Sequence, residues 1–484
     1  MKGRLLNALF LPAVLAGCAA LITQTEIYKE ITPRIQNHNW EAAISEVEKA
    51  RERGAYPNKE RLLYLLDMGI LHHYAGDYAE SNDYLELAER SIEELYTASV
   101  SRAALSMLLN DNALEYRGED YEDIYLNVFK ALNYLALDQY DEALVEIRRL
   151  NNKLQLLTDK YGNLAESLNR FEDKHVDFKA TEVDFHNDAL GRYLGALLYY
   201  YDGKYDDARI DLENYRHAIT AQPRLYSHSP IELELSALDT SLLHVVAFTG
   251  MAPEKVPVEF RLHTGKNHLL VFPAHQDQSL AQRFDWEGMA EGYYFKFAVP
   301  ELRRNASRVS AIEVYADGQY LGALQLLEDM SRVAEVTFQR QRSLIYLKSI
   351  TRTVLKGIAG KKAKEKFAEE EPAEDKEDKK ETRDKKEKAE EEGKEKKSGK
   401  GEFAKWLFSA VVDIATEISE QADLRTWRTM PGAAHAGYFP LPEGTYEVSL
   451  RFLDIRRKVL YRRDFQGVKV ARARLNFLEG VLLR

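Results

Sequence analysis

The chain has 484 residues, 45% of them hydrophobic and 30% charged, which is enough for two or three domains with their own cores. Its formal net charge is −11, so a broad basic face for nucleic acid is excluded and no nucleic-acid partner is expected. Cys18 is the single cysteine, which excludes any internal disulfide.

At the N-terminus Lys2 and Arg4 precede an apolar run from Leu5 to Ala16, too short to span a bilayer and shaped like a secretory signal. The run ends in Leu15-Ala16-Gly17-Cys18, which resembles the lipobox of bacterial lipoproteins: small residues admit the peptidase and the thiol receives the diacylglyceryl group. Residues 1–17 are therefore expected to be removed, Cys18 to carry lipid, and residues 18–24 to serve as the anchor linker. An ordinary signal peptide with a chance cysteine is the plainer alternative. Loss of Lys2 and Arg4 takes the charge from −11 to −13. Each buried acyl methylene contributes about 0.8 kcal/mol, so a lipid bilayer is the first expected partner. Ala19, where an Asp would resemble an inner-membrane retention signal, favours the periplasmic face of an outer membrane.

From about residue 25 onward the sequence reads as helices with a recurring aromatic-x-x-small element: Trp40 to Ala43, Tyr78 to Ser81, Tyr140 to Ala143 and Tyr205 to Ala208. Twelve residues before the last three small positions stand Gly69, Ala131 and Ala196. That spacing resembles the tetratricopeptide repeat, in which one helix offers a small residue so that the next packs closely, and Gly76 or Gly203 closes the first helix. Four units are expected, at 25–54, 61–95, 123–155 and 188–220, within an α-solenoid spanning 25–250. The 62 residues from Tyr78 to Tyr140 and the 65 from Tyr140 to Tyr205 leave room for further, degenerate helical pairs. A generic helical bundle with coincidental spacing is the alternative. The repeat phase points His73, Tyr74, Tyr193, Tyr200 and Tyr201 toward a concave groove, where aromatic side chains anchor partners. The same tyrosines would otherwise pack between helices or beneath the following domain.

After a linker at 222–230 and one more expected helix from Ile231 to Thr249, the period changes to two. Val256, Val258, Phe260 and Leu262 alternate with polar residues, as do Tyr293, Phe295, Phe297 and Val299. Asp317-Gly318 between two apolar runs signals a type I′ hairpin. Residues 251–358 are thus expected to give the first part of a β domain and a helix from Met330 to Ile358. A second part at 403–484 adds a strand through Tyr446, Val448, Leu450 and Phe452, with Lys458 to Phe465 as its partner. All these strands are expected to join in one β-sandwich-like unit, making the chain an α+β multidomain protein.

Residues 359–402 between the two parts are Lys, Glu, Asp and Ala with almost no apolar side chains, and read as a solvated insert. Phe403 to Ile418 is amphipathic with one basic residue, Lys405, and reads as a core helix before a membrane-surface one. Asp423, Arg425 and Trp427 follow as a cluster, read first as a buried polar latch and second as a binding site. This stretch, Leu441 to Tyr446, Tyr121-Glu122, Lys130 to Leu135 and Val145 to Arg149 together resemble a family of uncharacterised bacterial tetratricopeptide-like lipoproteins. The resemblance implies an envelope role and carries over no activity.

Phosphate-loop, dinucleotide and Gly-x-Ser-x-Gly patterns do not occur. His72 and His73 are adjacent on a helix and face apart, and His263, His268 and His275 lack zinc-site spacing, so neither a metal nor another cofactor is expected. The sequence therefore points to a non-enzymatic, membrane-anchored scaffold that binds envelope proteins through its repeat groove. Two alternatives remain: an envelope enzyme or regulator of cell-wall synthesis with a site at the β-domain junction, and a periplasmic chaperone or secretion accessory.

Overall fold

A computed structural model describes residues 24–101, 111–169, 188–274, 281–285, 289, 291–369, 419–420 and 422–484. The signal segment, Cys18, His275 and the amphipathic stretch 403–418 lie outside the described residues, as does the charged insert beyond residue 369. The chain is a mixed α+β protein, helical first and β-rich afterwards.

The helices are α1 (Gln24–Gln36), α2 (Trp40–Glu52), α3 (Arg61–Ala75), α4 (Tyr78–Ser101), α5 (Asp120–Ala136), α6 (Tyr140–Asn169), α7 (Ala189–Tyr201) and α8 (Tyr205–Ala221). Turns of two or three residues join them in pairs, and each turn holds one left-handed residue: His38, Gly76, Asp138 and Gly203. A left-handed residue ends a helix and reverses the chain within a few bonds. The four aromatics of the recurring element are the first residues of α2, α4, α6 and α8. Their small partners meet as the spacing requires. Ser81 Oγ donates to Gly69 O at 2.7 Å, and a Cβ on Gly69 would stand 2.5 Å from Leu85 Cδ2. Ala131, Ala143, Ala196 and Ala208 are fully buried. Successive pairs also pack on one another, α2 on α3, α4 on α5 and α6 on α7.

One expectation about this half is corrected, and another falls largely outside the described residues. Helix α4 runs for 24 residues and α6 for 30, and residues 102–110 and 170–187, where further helical pairs were expected, lie outside the described residues. The helix expected from Ile231 to Thr249 is a short 3-10 turn at Leu235–Asp239 followed by strand β1 (Leu242–Met251), so the helical region ends near residue 221 rather than 250. All ten residues of β1 are buried. Burial on both faces erases the alternation that marks a strand and leaves a mostly apolar run broken by the buried His244 and Thr249.

The remaining strands are β2 (Glu254–Gly265), β3 (His268–Pro273), β4 (Gln282–Asp285), β5 (Tyr294–Arg303), β6 (Ala311–Ala316), β7 (Gln319–Ala323), β8 (Gln325–Glu328), β9 (Ser419–Glu420), β10 (Pro431–Pro440), β11 (Gly444–Leu453), β12 (Val459–Val470) and β13 (Asn476–Leu482). One sheet has the order β13-β1-β10-β8 and a second β12-β11-β6-β7. Leu243, Val245 and Ala247 of β1 meet Val314, Leu450 and Phe452 of the second sheet in a shared core, which makes a sandwich. The β6–β7 turn has positive φ at both Asp317 and Gly318, as a type I′ turn demands.

The single-sandwich expectation is also corrected. Strands β2 and β5 pair over ten residues in a separate five-stranded sheet, β4-β3-β2-β5-β9. Helix α9 (Met330–Glu369) covers that sheet, with Ile350 and Val354 against Leu262, Phe297 and Val299. This helix continues eleven residues past the expected end at Ile358, into the charged stretch. Among the described residues no helix is long and apolar enough to cross a membrane.

Candidate functional site

The first helices of the pairs, α1, α3, α5 and α7, each carry groups that meet the C-terminal half of the chain: Tyr28 meets Arg428, Asp67 meets Thr429, Glu122 meets Trp427 and Ala189 meets Glu328. Even-numbered residues of β1, such as Val246 and Phe248, belong to the helical core, with Phe248 5.3 Å from the ring of Phe129 on α5. Residues 422–430, irregular to Trp427 and turning at 428–430 into β10, are held by two fully buried carboxylates.

Asp67 stands alone in the apolar helix α3. Its carboxylate accepts hydrogen bonds from Thr429 Oγ1 at 2.6 Å and from the hydroxyls of Tyr28 and Tyr56 at 2.8 Å each. Burial pushes its pKa up to about 6, against the pull of these three donors. Glu122 on α5 accepts from Trp427 N at 2.6 Å, Thr426 Oγ1 at 3.1 Å, Tyr116 OH at 2.6 Å and Glu119 N at 3.0 Å. Burial first, and the nearby Glu119 second, raise it to about 7. Between the two, the Trp427 ring is fully buried against Phe129 at 6.1 Å.

Arg425 folds back on Asp423 through two bonds of 2.8 and 2.7 Å and donates to the carbonyls of Leu114 at 2.8 Å and Asp111 at 2.6 Å. Arg428 pairs with Glu254 and lies 4.7 Å above the Tyr28 ring. The Asp423, Arg425 and Trp427 cluster is thus a buried latch that ties the segment to the array.

Three of the expected partner-binding residues sit under this domain rather than on an open groove. His73 is 2% exposed, held between Asn133 Oδ1 at 2.6 Å and Glu479 Oε1 of β13 at 2.8 Å. Burial opposes its charge, but the Glu479 carboxylate outweighs that and raises its pKa. Tyr74 donates to Thr429 O at 3.2 Å. Tyr193 is 1% exposed, edge-on to Tyr215. These three present no surface to a separate partner, because β13 meets His73, Thr429 meets Tyr74 and Tyr193 packs on Tyr215 of α8. Tyr200 and Tyr201 lie at the margin: Tyr200 donates to Asp239 at 2.5 Å and Tyr201 OH is 3.5 Å from His244 Nε2.

A third buried carboxylate completes the joint. Glu328, at the end of β8, accepts from Tyr226 OH and Ala189 N at 3.0 Å each and from Leu190 N at 3.3 Å, the opening amides of α7. Burial, reinforced by neighbouring Asp188, holds its pKa well above the usual range. Its Oε2 thus meets the opening donors of α7 beside a second buried acid, Asp188.

On the opposite face, between α4 and α6, a cleft of about 340 Å³ is lined by Glu86, Glu89, Arg149 and Lys153 among others. Lys130 reaches it from beneath, 2.6 Å from Glu86, 2.8 Å from Glu89 and 3.1 Å from Glu146. Lys153 bridges Glu89 at 2.8 Å and Asp123 at 2.6 Å. Although burial acts against it, these cations drive Glu89 far below the usual carboxylate range. The charges satisfy one another and bolt the second helical pair to the third.

Among the described residues no three His, Cys, Asp or Glu side chains gather as metal ligands. His263 and His268 lie on β2 and β3, in register with Leu270 and Gly265, and do not face each other across a pocket. The arrangement grips residues 422–430, and Asp67 and Glu122, whose pKa values burial raises to about 6 and about 7, are closed to solvent. Asp67, Glu122, Glu328 and Glu479 were not foreseen as a joint. The signal for Asp67 was present, one acid inside Leu62 to Leu71, because a charge in an apolar helix face must find buried partners. Compared with known proteins, the chain matches no protein family, no curated sequence and no solved structure.

Proposed function

We propose that this chain is an envelope lipoprotein, anchored through acylated Cys18 on the periplasmic face of an outer membrane, and that it serves as a non-catalytic scaffold for other envelope proteins. In this reading the helical pairs are a tetratricopeptide-type solenoid. The observation that carries it is the way α3 and α5 hold residues 422–430. They bond backbone and hydroxyl groups of this irregular segment through Asp67 and Glu122 and bury its one indole, as such a groove holds a peptide. The aromatic and small-residue spacing and the four left-handed turns support the same assignment. Because the groove is filled from within, separate partners bind the outer helical faces and the β sheets.

Crosslinking in intact envelopes, followed by purification of the chain, tests this. A reproducible set of envelope proteins is expected with wild type, and Cys18→Ser should abolish palmitate labelling, release the chain from membranes and lose that set. A wild-type chain that takes up no label, fractionates as soluble and captures no defined partner refutes the proposal. The way residues 422–430 are held favours one second reading, a periplasmic chaperone or secretion accessory whose clients displace that segment. Added peptides copying residues 422–430 would then bind in competition with it.

A further inference from the structure

The strongest unassigned surface is the tip of the β11–β12 hairpin, far in sequence from the groove. The last 34 residues carry ten Lys and Arg against three Asp and Glu, in a chain whose net charge is −11. Three of these cations stand together at one end of the sandwich. Arg456, Arg457 and Lys458 form the tip that leads into β12, an edge strand. All three are exposed. Arg457 pairs with Glu313, while the Arg456 and Lys458 head groups form no ion pair among the described residues. At the apex is Ile455, 88% exposed, the most exposed large apolar side chain described.

The tip is built to stand out. Asp454 Oδ1 accepts from Arg456 N at 2.8 Å and Lys458 N at 2.9 Å, and Asp454 N bonds Lys458 O at 2.9 Å. These bonds satisfy the turn from within and leave the Ile455 side chain pointing away from the core. The positive field reaches the neighbouring helices. His38, in the α1–α2 turn, stacks on Tyr461 at 4.0 Å, and burial together with Arg463 and Arg484 lowers its pKa to about 4.

We infer that this hairpin tip docks on an anionic lipid surface, with Ile455 entering the acyl boundary and Arg456, Arg457 and Lys458 meeting the headgroups. An acidic protein would pair with the cations but leave the lone apex isoleucine without a purpose; a bilayer interface uses both at adjacent depths. The inference goes beyond the scaffold reading and does not depend on acylation. It gives the molecule a second membrane contact that fixes its orientation.

The full chain carrying Cys18→Ser has no thiol, so Ile455→Cys in that background takes one environment-sensitive fluorophore at the apex. With vesicles of phosphatidylglycerol and phosphatidylcholine, the probe should shift to the blue and be quenched by brominated acyl chains. Vesicles of pure phosphatidylcholine should leave it in water, and a probe at Asp206→Cys on α8 should stay in water with both. Each cation near an anionic surface is worth about a fivefold gain in partition, so Arg456→Glu with Lys458→Glu should lower the anionic-to-neutral partition ratio by about 25-fold or more. Taking this as a ratio cancels any contribution of the apolar stretch 5–16. Melting should not change, because both side chains are exposed. The inference is overturned if the apex probe stays in water with anionic vesicles, if both vesicle types bind alike, or if the doubly reversed chain keeps its ratio. Capture of an acidic protein at the tip without any vesicle response overturns it equally.

Discussion

Glu122 offers the sharpest test of how the two halves are joined. Its carboxyl is fully buried, receives four hydrogen bonds, and titrates near 7 in the folded chain against 4.5 for the free side chain. A raised acid favours the folded state only while it keeps its proton. Its contribution is therefore fully present below pH 4.5, declines as the unfolded chain ionises first, and is lost once pH passes through the folded value near 7. At about 1.4 kcal/mol per pH unit over that window, the swing is about 3 kcal/mol. Glu122→Gln keeps the shape and a neutral donor-acceptor pair but cannot ionise. The stability of wild type minus that of the variant should consequently fall by about 3 kcal/mol between pH 4.5 and 8. Asp67, which titrates near 6, and His73 are present in both chains and cancel. Urea unfolding followed by tryptophan fluorescence at steps of half a pH unit measures the difference, with Trp427 reporting from beside the site. A difference that stays flat within about 1 kcal/mol across the range would show that Glu122 is ionised in the fold and that its donors outweigh its burial.

Other substitutions probe the packing. Tyr193→Ala should cost about 3–5 kcal/mol in thermal melting, since the ring is 1% exposed, whereas Tyr200→Phe at the margin should cost about 1 kcal/mol, the value of one hydrogen bond. Gly69→Val should destabilise by about 1–3 kcal/mol through the collision with Leu85. Gly76→Ala meets no atom within 4 Å and should cost about 1–2 kcal/mol from its φ of +88° alone, and a Gly69→Val variant as stable as wild type would refute the close-approach account. Replacing residues 371–400 by a short Gly/Ser bridge should leave the melting temperature nearly unchanged, because that composition offers almost no apolar surface to bury.

Much of the helical half was legible. Trp40, Tyr78, Tyr140 and Tyr205 mark helix starts, and Gly69, Ala131 and Ala196 mark close crossings, because both depend on local steric fit with a residue twelve positions away. The type I′ turn at Asp317-Gly318 and the β11–β12 pair were equally readable, their signals lying within one hairpin. The added helical pairs were not legible, since a spacing of 62 or 65 residues does not distinguish a new pair from a longer helix, and among the described residues α4 and α6 are long. The groove misled for a different reason. Helical phase placed His73, Tyr74 and Tyr193 on the inner face, but phase carries no information about what covers that face.

Local sequence determined which segments are helices and hairpins, because capping, turn chemistry and crossing residues act over a few positions. It also set the charge contrast between the acidic chain and its basic last strands. Tertiary structure alone decided that β1 is a strand, since a mostly apolar run without a period of two fits either element until two layers bury both faces. It alone brought Thr429 to Asp67 and Trp427 to Glu122, residues more than 300 positions apart. A buried acid announces in sequence that it needs donors; which donors arrive depends on how the whole chain closes on itself.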